Sequence, residues 1–70
     1  MPAVWFIELE QKVGVVRHVV RTSADGMVSQ YIEEDTVTGR TSTHTFKGEQ
    51  SCAAAERAFM DIVINKIHGA

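Results

Sequence analysis

The sequence predicts an α+β domain, in which a four-stranded antiparallel meander (ββββ) is followed by one C-terminal helix packed on one face of the sheet. Apolar residues recur at helical spacing in one stretch, Ser51–His68. The segments before it are rich in β-branched residues and are separated by short turns that contain glycine. Because short connections favour antiparallel pairing of consecutive strands, we expect the strands to pair in chain order.

The first strand is predicted over residues 3–9, where two sets of apolar side chains alternate. We assign Trp5, Ile7 and Leu9 to the core, because the other set continues into Glu8. Residues 10–14 are interpreted as a turn. The other set then places Phe6 on the open side of the sheet.

The second strand is predicted over residues 15–22 and has the densest run of β-branched residues in the chain. Alternation assigns Val16 and Val20 to the core. The same alternation sends Arg17 and Arg21 to the opposite face of the sheet.

An Asp-Gly pair at residues 25–26 favours a tight hairpin into a third strand over residues 27–34. In that strand we assign the apolar Val28 and Ile32 to the core, which sends Tyr31 to the open face. A longer loop around Gly39 leads into a threonine-rich fourth strand over residues 41–46.

The helix Ser51–His68 could have Ser51 or Gly48 as its N-cap and end at Gly69. Its core-facing stripe contains Cys52, Ala55, Phe59, Ile62, Val63 and Ile67. Met60 and Ile64 lie beside this stripe and widen the apolar arc. Either they are half-buried at the edge of the sheet, or a second neighbour covers them, and in so short a chain that neighbour would be another copy.

The length of 70 residues predicts a single domain, residues 1–70. So small a domain has a limited core, and with one cysteine no disulfide can stabilise it, which leaves self-association as a common remedy. A lone cysteine also favours a cytoplasmic location. We expect no signal peptide and no membrane span, because the first ten residues lack a basic segment and no apolar run is long enough.

Candidate catalytic and metal-binding groups are few. Cys52 at the start of the helix and His44 on the last strand could form a nucleophilic pair, but a position on the apolar stripe favours a core cysteine. The three histidines, His18, His44 and His68, lack the spacing of a metal site. We therefore expect no enzyme, no cofactor and no metal.

The surfaces that these assignments leave exposed predict a small non-enzymatic interaction module that associates as a homodimer. We expect it to serve as an accessory or regulatory protein that binds a protein partner. The predicted partner-binding residues are Phe6, Arg17, Arg21, Tyr31, Met60 and Ile64. The alternative is single-stranded nucleic-acid binding through the open sheet face, where arginines and aromatic rings would supply charge and stacking. A net charge of −2 argues against a dedicated duplex-DNA binder.

In element order, four strands followed by a helix, the chain resembles the single-strand-binding coactivator domains that pair into dimers. A strand–strand–strand–helix order is also similar to that of the arm-binding domains of tyrosine recombinases. Both resemblances imply nucleic-acid binding, whereas Glu8 and Glu33, assigned to the same open face of the sheet, favour a protein partner.

Overall fold

A computed structural model of the chain describes residues 4–68, with side chains for residues 4–67. It confirms the predicted fold class: one four-stranded antiparallel sheet in the order β1-β2-β3-β4, with a C-terminal helix packed against it. The elements are β1 (Trp5–Val13), β2 (Val16–Ser23), β3 (Val28–Asp35), β4 (Thr41–Lys47) and α1 (Ser51–His68). Residue 3 of the first predicted strand and the proposed helix stop at residue 69 lie outside the described residues.

The hydrophobic core lies between α1 and one face of the sheet. Its buried members are Val20, Tyr31, Ala55, Phe59 and Val63. Partly buried side chains pack around them, namely Leu9, Val13, Phe46, Ala58 and Ile62. The edge of the Phe59 ring meets the Tyr31 ring at an interplanar angle of 90°, with centroids 6.2 Å apart, a favourable geometry for aromatic pairs.

The turn between β2 and β3 sets the register of the central hairpin. Gly26 adopts a φ of 76°, which glycine reaches without steric cost, and its amide donates to the carbonyl of Ser23 at 2.9 Å. The Asp25 carboxylate accepts from the Ser23 hydroxyl at 2.6 Å and from the Met27 amide at 3.0 Å, and these two bonds lower the pKa of that carboxyl. With this turn in place, Val20 pairs with Tyr31.

The predicted faces of β3 were wrong. Because Val20 faces the helix and pairs with Tyr31, Tyr31 also faces the helix, and it is fully buried. Ile32 pairs with Val19 and lies on the opposite face, as does Val28. The hairpin register decides the face of every residue in the strand, and here it overrides apolarity.

The predicted faces of β1 were partly wrong, because the register shifts between Ile7 and Leu9. This β-bulge leaves Leu9 on the helix side, as predicted, and turns Trp5 and Ile7 to the open face. Phe6, expected on the open face, lies on the helix side. The strand also continues through the residues interpreted as a turn and ends at Val13.

The helix begins at Ser51, as predicted, but the Ser51 hydroxyl does not cap it. Ser51 is buried, and its hydroxyl lies 3.2 Å from the Ser29 hydroxyl and donates to the carbonyl of Gly26 at 3.4 Å. A third hydroxyl, that of Thr22, lies 2.9 Å from the Ser29 hydroxyl. This chain of hydroxyl groups fastens the start of α1 to β2 and β3.

Candidate interaction surfaces

The outer side of α1 presents an exposed apolar stripe. Met60, Ile64 and Ile67 are 47%, 43% and 52% exposed, respectively, although Ile67 was predicted to face the core. Ala53 and Arg57, also exposed, precede them at the same spacing. We call these five residues the outer helix stripe.

The spacing within the outer helix stripe alternates between four and three residues, from position 53 through 57, 60 and 64 to 67. This is the repeat with which one helix packs its a and d positions into the side chains of another. The sheet occupies a different side of α1, through Ala55, Phe59 and Val63. The helix therefore carries two apolar stripes, one buried in the core and one exposed.

The face of the sheet opposite α1, which we call the open sheet face, is crossed by a row of contacting side chains. The Arg21 guanidinium lies over the Trp5 ring, with its carbon 4.5 Å from the ring centroid. Arg21 Nε donates to Gln30 Oε1 at 2.8 Å, and Gln30 Nε2 donates to Thr45 Oγ1 at 3.2 Å. The row thus includes one residue from each of the four strands.

In a second row of side chains on the open sheet face, two carboxylates neutralise the charge of Arg17. Its guanidinium donates through Nη1 to Glu10 at 2.8 Å, and its Nε lies 3.2 Å from the Glu34 carboxylate. Val19, between the two arginine rows, is buried although α1 packs on the other face of the sheet. Its neighbours across the strands on this face are Glu10 and Ile32, and Arg17 and Arg21 flank it along β2, so long side chains surround the apolar centre of this face.

The predicted partner-binding residues do not form one surface. Arg17 and Arg21 lie on the open sheet face, and Met60 and Ile64 lie on the outer helix stripe; their roles in binding stay predictions. Phe6 is 56% exposed, on the helix side of β1. Tyr31 was wrongly placed, because it is buried beneath α1 and cannot contact a partner in this conformation.

Sequence reasoning missed residues on both of these surfaces. Trp5 and Ile7 belong to the open sheet face, because the bulge in β1 reverses their direction. Arg57 and Ile67 belong to the outer helix stripe, and the four-three spacing from position 53 onward could have identified them.

A buried polar cluster lies under the C-terminal half of α1. Nδ1 of His18 is 2.7 Å from the hydroxyl of Tyr31, and both side chains are fully buried. Lys66 reaches down from the helix to within 3.8 Å of the carboxylate of Glu33. Glu33 pairs with His18 across the strands, so its assignment to the open face was wrong and it lies on the helix side. Among the described residues, Nε2 of His18 has no hydrogen-bond partner.

Burial governs the protonation of this cluster. It lowers the pKa of His18, an effect that the positive charge of Lys66 reinforces and the negative charge of Glu33 opposes. Burial likewise raises the pKa of Tyr31, and Glu33 adds to that rise. The His18–Tyr31 contact is therefore favoured as a neutral imidazole beside a protonated phenol.

The residues considered for chemistry have structural partners instead. The Cys52 thiol is half-buried and donates to the Glu56 carboxylate at 3.4 Å, and the His44 ring stacks on Tyr31 with centroids 5.9 Å apart. Over the part of the chain that the structure describes, no group of three or more His, Cys, Asp or Glu residues is arranged to hold a metal ion.

A shallow depression of about 330 Å³ lies at the end of the sheet where β3 meets β4. It is lined by Val16, Glu33, Asp35, Arg40, Thr41 and Ser42. The Asp35 carboxylate accepts from the amides of Val37 and Thr38 at 2.9 and 3.0 Å, which lowers its pKa and holds the loop. Of the two carboxylates that line the depression, that of Asp35 is thus occupied by hydrogen bonds within the β3–β4 loop.

Comparisons with protein-family models, with curated proteins and with solved structures found no match for this chain. Among the described residues, α1 is the one helix, and it is not apolar enough over its length to cross a bilayer.

Proposed function

We propose that this protein is a small association module, without a catalytic role, that binds a second copy of itself and a larger protein partner as an accessory or regulatory subunit. The observation that carries the proposal is the amount of apolar surface left in water. Nine large apolar side chains in the described residues are more than two-fifths exposed. Six of them lie on the outer helix stripe or at the start of the chain, namely Val4, Phe6, Ile7, Met60, Ile64 and Ile67.

The open sheet face is the proposed site for the larger partner. Trp5 and Arg21 contact each other there, and tryptophan and arginine are enriched among the residues that dominate binding at protein interfaces. Ile7, which is 62% exposed, pairs with Arg21 across the strands and extends the apolar area beside them. The contact with Trp5 and the bond to Gln30 hold Arg21 in place, so little side-chain freedom is lost on binding.

Binding of single-stranded nucleic acid to the same face is the second candidate. A base could stack on the Trp5 ring, and Arg21 could contact a phosphate. Two observations favour protein instead. The charge of Arg17 is matched by Glu10 and Glu34, and Tyr31, which would have supplied a second stacking ring, is buried under the helix.

A titration of a labelled single-stranded oligonucleotide at low salt separates these candidates. We expect no saturable change in fluorescence anisotropy up to tens of micromolar protein, a range typical of weak non-specific binding. Saturable binding that weakens with salt and is lost in Arg21→Gln, but not in the control Arg40→Gln, would favour nucleic acid. Arg40 is a suitable control because it is exposed in the β3–β4 loop, at the opposite end of the sheet from Trp5.

A cytoplasmic location belongs to the same proposal. It is supported by the single cysteine, Cys52, which is a free thiol in the structure, because unpaired cysteines are typical of reducing compartments.

A further inference from the structure

We infer that the outer helix stripe is the self-association surface and that it pairs antiparallel with the same stripe of a second copy. This inference rests on the proposed function and specifies it, since it names the surface, the occupant and the orientation. The partner it fits is another α1 helix with the same four-three spacing.

The spacing first indicates a helix as the occupant. Met60, Ile64 and Ile67 are separated by four and three residues, so they form one straight seam along the outside of α1. A seam of this kind inserts its side chains between those of another helix, with the two axes about 8–10 Å apart. The core-facing side of α1 already packs on the sheet, so pairing along the outer helix stripe needs no rearrangement of the fold.

The seam is complementary to itself when two copies run in opposite directions. A twofold axis that places Met60 opposite Ile64 of the second copy also places Arg57 opposite Ile67. The contact then has Met60 and Ile64 at its centre, with an Arg57–Ile67 contact at either end. Such isologous contacts are typical of homodimers, because both copies use the same patch.

The charge of Arg57 selects the antiparallel arrangement. In a parallel pair, the two Arg57 side chains would occupy the same layer, and their charges would repel each other. In the antiparallel pair, each Arg57 lies beside the C-terminal end of the other helix, where the unpaired carbonyl groups carry partial negative charge. Its aliphatic stem can cover Ile67 while the guanidinium reaches those carbonyls.

The exposed edge of β1 is a poorer surface for a second copy. Extending the sheet across two copies needs a regular edge strand, and the β-bulge between Ile7 and Leu9 interrupts this one. Exposed charged residues, Glu10 and Lys12, further along the strand oppose edge-to-edge pairing.

The first test measures the mass in solution by sedimentation equilibrium over a range of micromolar concentrations. The wild-type chain is expected at twice its 7.8 kDa mass, and Ile64→Glu at 7.8 kDa under the same conditions. Asn65→Glu adds the same charge one position away, outside the stripe, and is expected to stay dimeric. Ile67→Glu is a second disrupting variant, and far-UV circular dichroism of each variant confirms that it is folded.

The second test measures orientation with a nitroxide attached to Ala53→Cys in a Cys52→Ala background. In the antiparallel register, the two positions 53 are separated by about 18 residues along the axis, or about 27 Å. In a parallel pair they would lie at the same level, about 10 Å apart. Pulsed electron paramagnetic resonance is expected to report the longer distance.

The outcomes of these two tests distinguish a failure of the proposed surface from a failure of the proposed function. A dimer that survives Ile64→Glu and Ile67→Glu but dissociates in Ile7→Glu would overturn the helix seam and leave self-association standing. A short distance between the labels would overturn the antiparallel orientation. A wild-type chain that sediments as a monomer at every concentration would remove both the seam and self-association from the proposed function.

Discussion

Nδ1 of His18 lies 2.7 Å from the phenolic oxygen of Tyr31, and the two rings are nearly parallel, at 8°, in the layer between sheet and helix. Tyr31 also stacks on His44 and meets the edge of Phe59. One tyrosine thus joins β2, β3, β4 and α1. The hydrophobic core of this domain is built around a buried polar contact, so its stability depends on the protonation of that contact.

The free energy of unfolding is expected to fall as the pH is lowered from about 7.5 to about 5. Burial holds the pKa of His18 below its ordinary value of 6.5 in the folded state, so the unfolded chain takes up its proton at a higher pH. The contribution of neutral His18 to the free energy of unfolding is therefore complete above the ordinary pKa of 6.5, and it is lost as the pH falls through the pKa of the folded state. Urea denaturation followed by Trp5 fluorescence at several pH values measures this dependence.

His18→Gln should flatten this pH dependence, because glutamine does not titrate and can still accept a bond from Tyr31. His44→Gln is the matched control, since His44 lies on the same side of the sheet but is exposed. If the slope were the same in wild type and His18→Gln, the buried imidazole would not be its source.

Tyr31→Phe should lower the free energy of unfolding by about 1–3 kcal/mol. The ring and its contacts with Phe59 would remain, but His18 would lose its hydroxyl partner while staying buried. A double-mutant cycle with His18→Leu, which unlike His18→Gln cannot accept a bond from Tyr31, isolates the coupling between the two side chains. Additive effects of the two substitutions would mean that the 2.7 Å contact contributes nothing to stability.

The central hairpin illustrates both the reach and the failure of sequence reasoning. The Asp-Gly pair at 25–26 predicted the turn, and a turn centred there pairs position 20 with 31. Since Val20 was correctly assigned to the core, that register would have placed Tyr31 in the core as well. The faces were instead assigned from the apolarity of Val28 and Ile32. That assignment was wrong because these apolar residues lie on the open sheet face.

The β-bulge in β1 has no comparable signal. Trp5, Ile7 and Leu9 alternate without a glycine or a proline to mark the irregularity, so a regular strand was the natural prediction. The bounds of the helix, Ser51 to His68, were predictable from local pattern, whereas Ile67 of the predicted core stripe is exposed and the Ser51 hydroxyl does not cap the helix. The same pattern includes the outer helix stripe, although only Met60 and Ile64 were singled out from it.

Ser51→Ala should destabilise the domain by about 1 kcal/mol. The Ser51 hydroxyl is buried and contacts Ser29 and Gly26, so its removal leaves polar groups of β3 and the β2–β3 turn with fewer partners. Ser42→Ala, at an exposed position on β4, should change the free energy of unfolding by less than about 0.5 kcal/mol. Equal effects in the two variants, measured by chemical denaturation, would contradict the fastening role of the hydroxyl chain.

Phe59→Ala should lower the free energy of unfolding by about 3–5 kcal/mol, because it removes a large buried ring from the centre of the core. Small domains have about 5–15 kcal/mol of stability in total, so much of the population should unfold at moderate temperature. Met60→Ala is the matched control, since it shortens the neighbouring side chain on the exposed outer helix stripe.

The Met60→Ala control is best made at protein concentrations low enough to keep the chain monomeric, where we expect a change of less than about 1 kcal/mol. At higher concentration the same substitution should also weaken self-association, and its effect on the midpoint of unfolding should grow with concentration. A Phe59→Ala chain with a wild-type midpoint, or a Met60→Ala chain that loses as much stability when monomeric, would mean that the two stripes of α1 have been assigned the wrong way round.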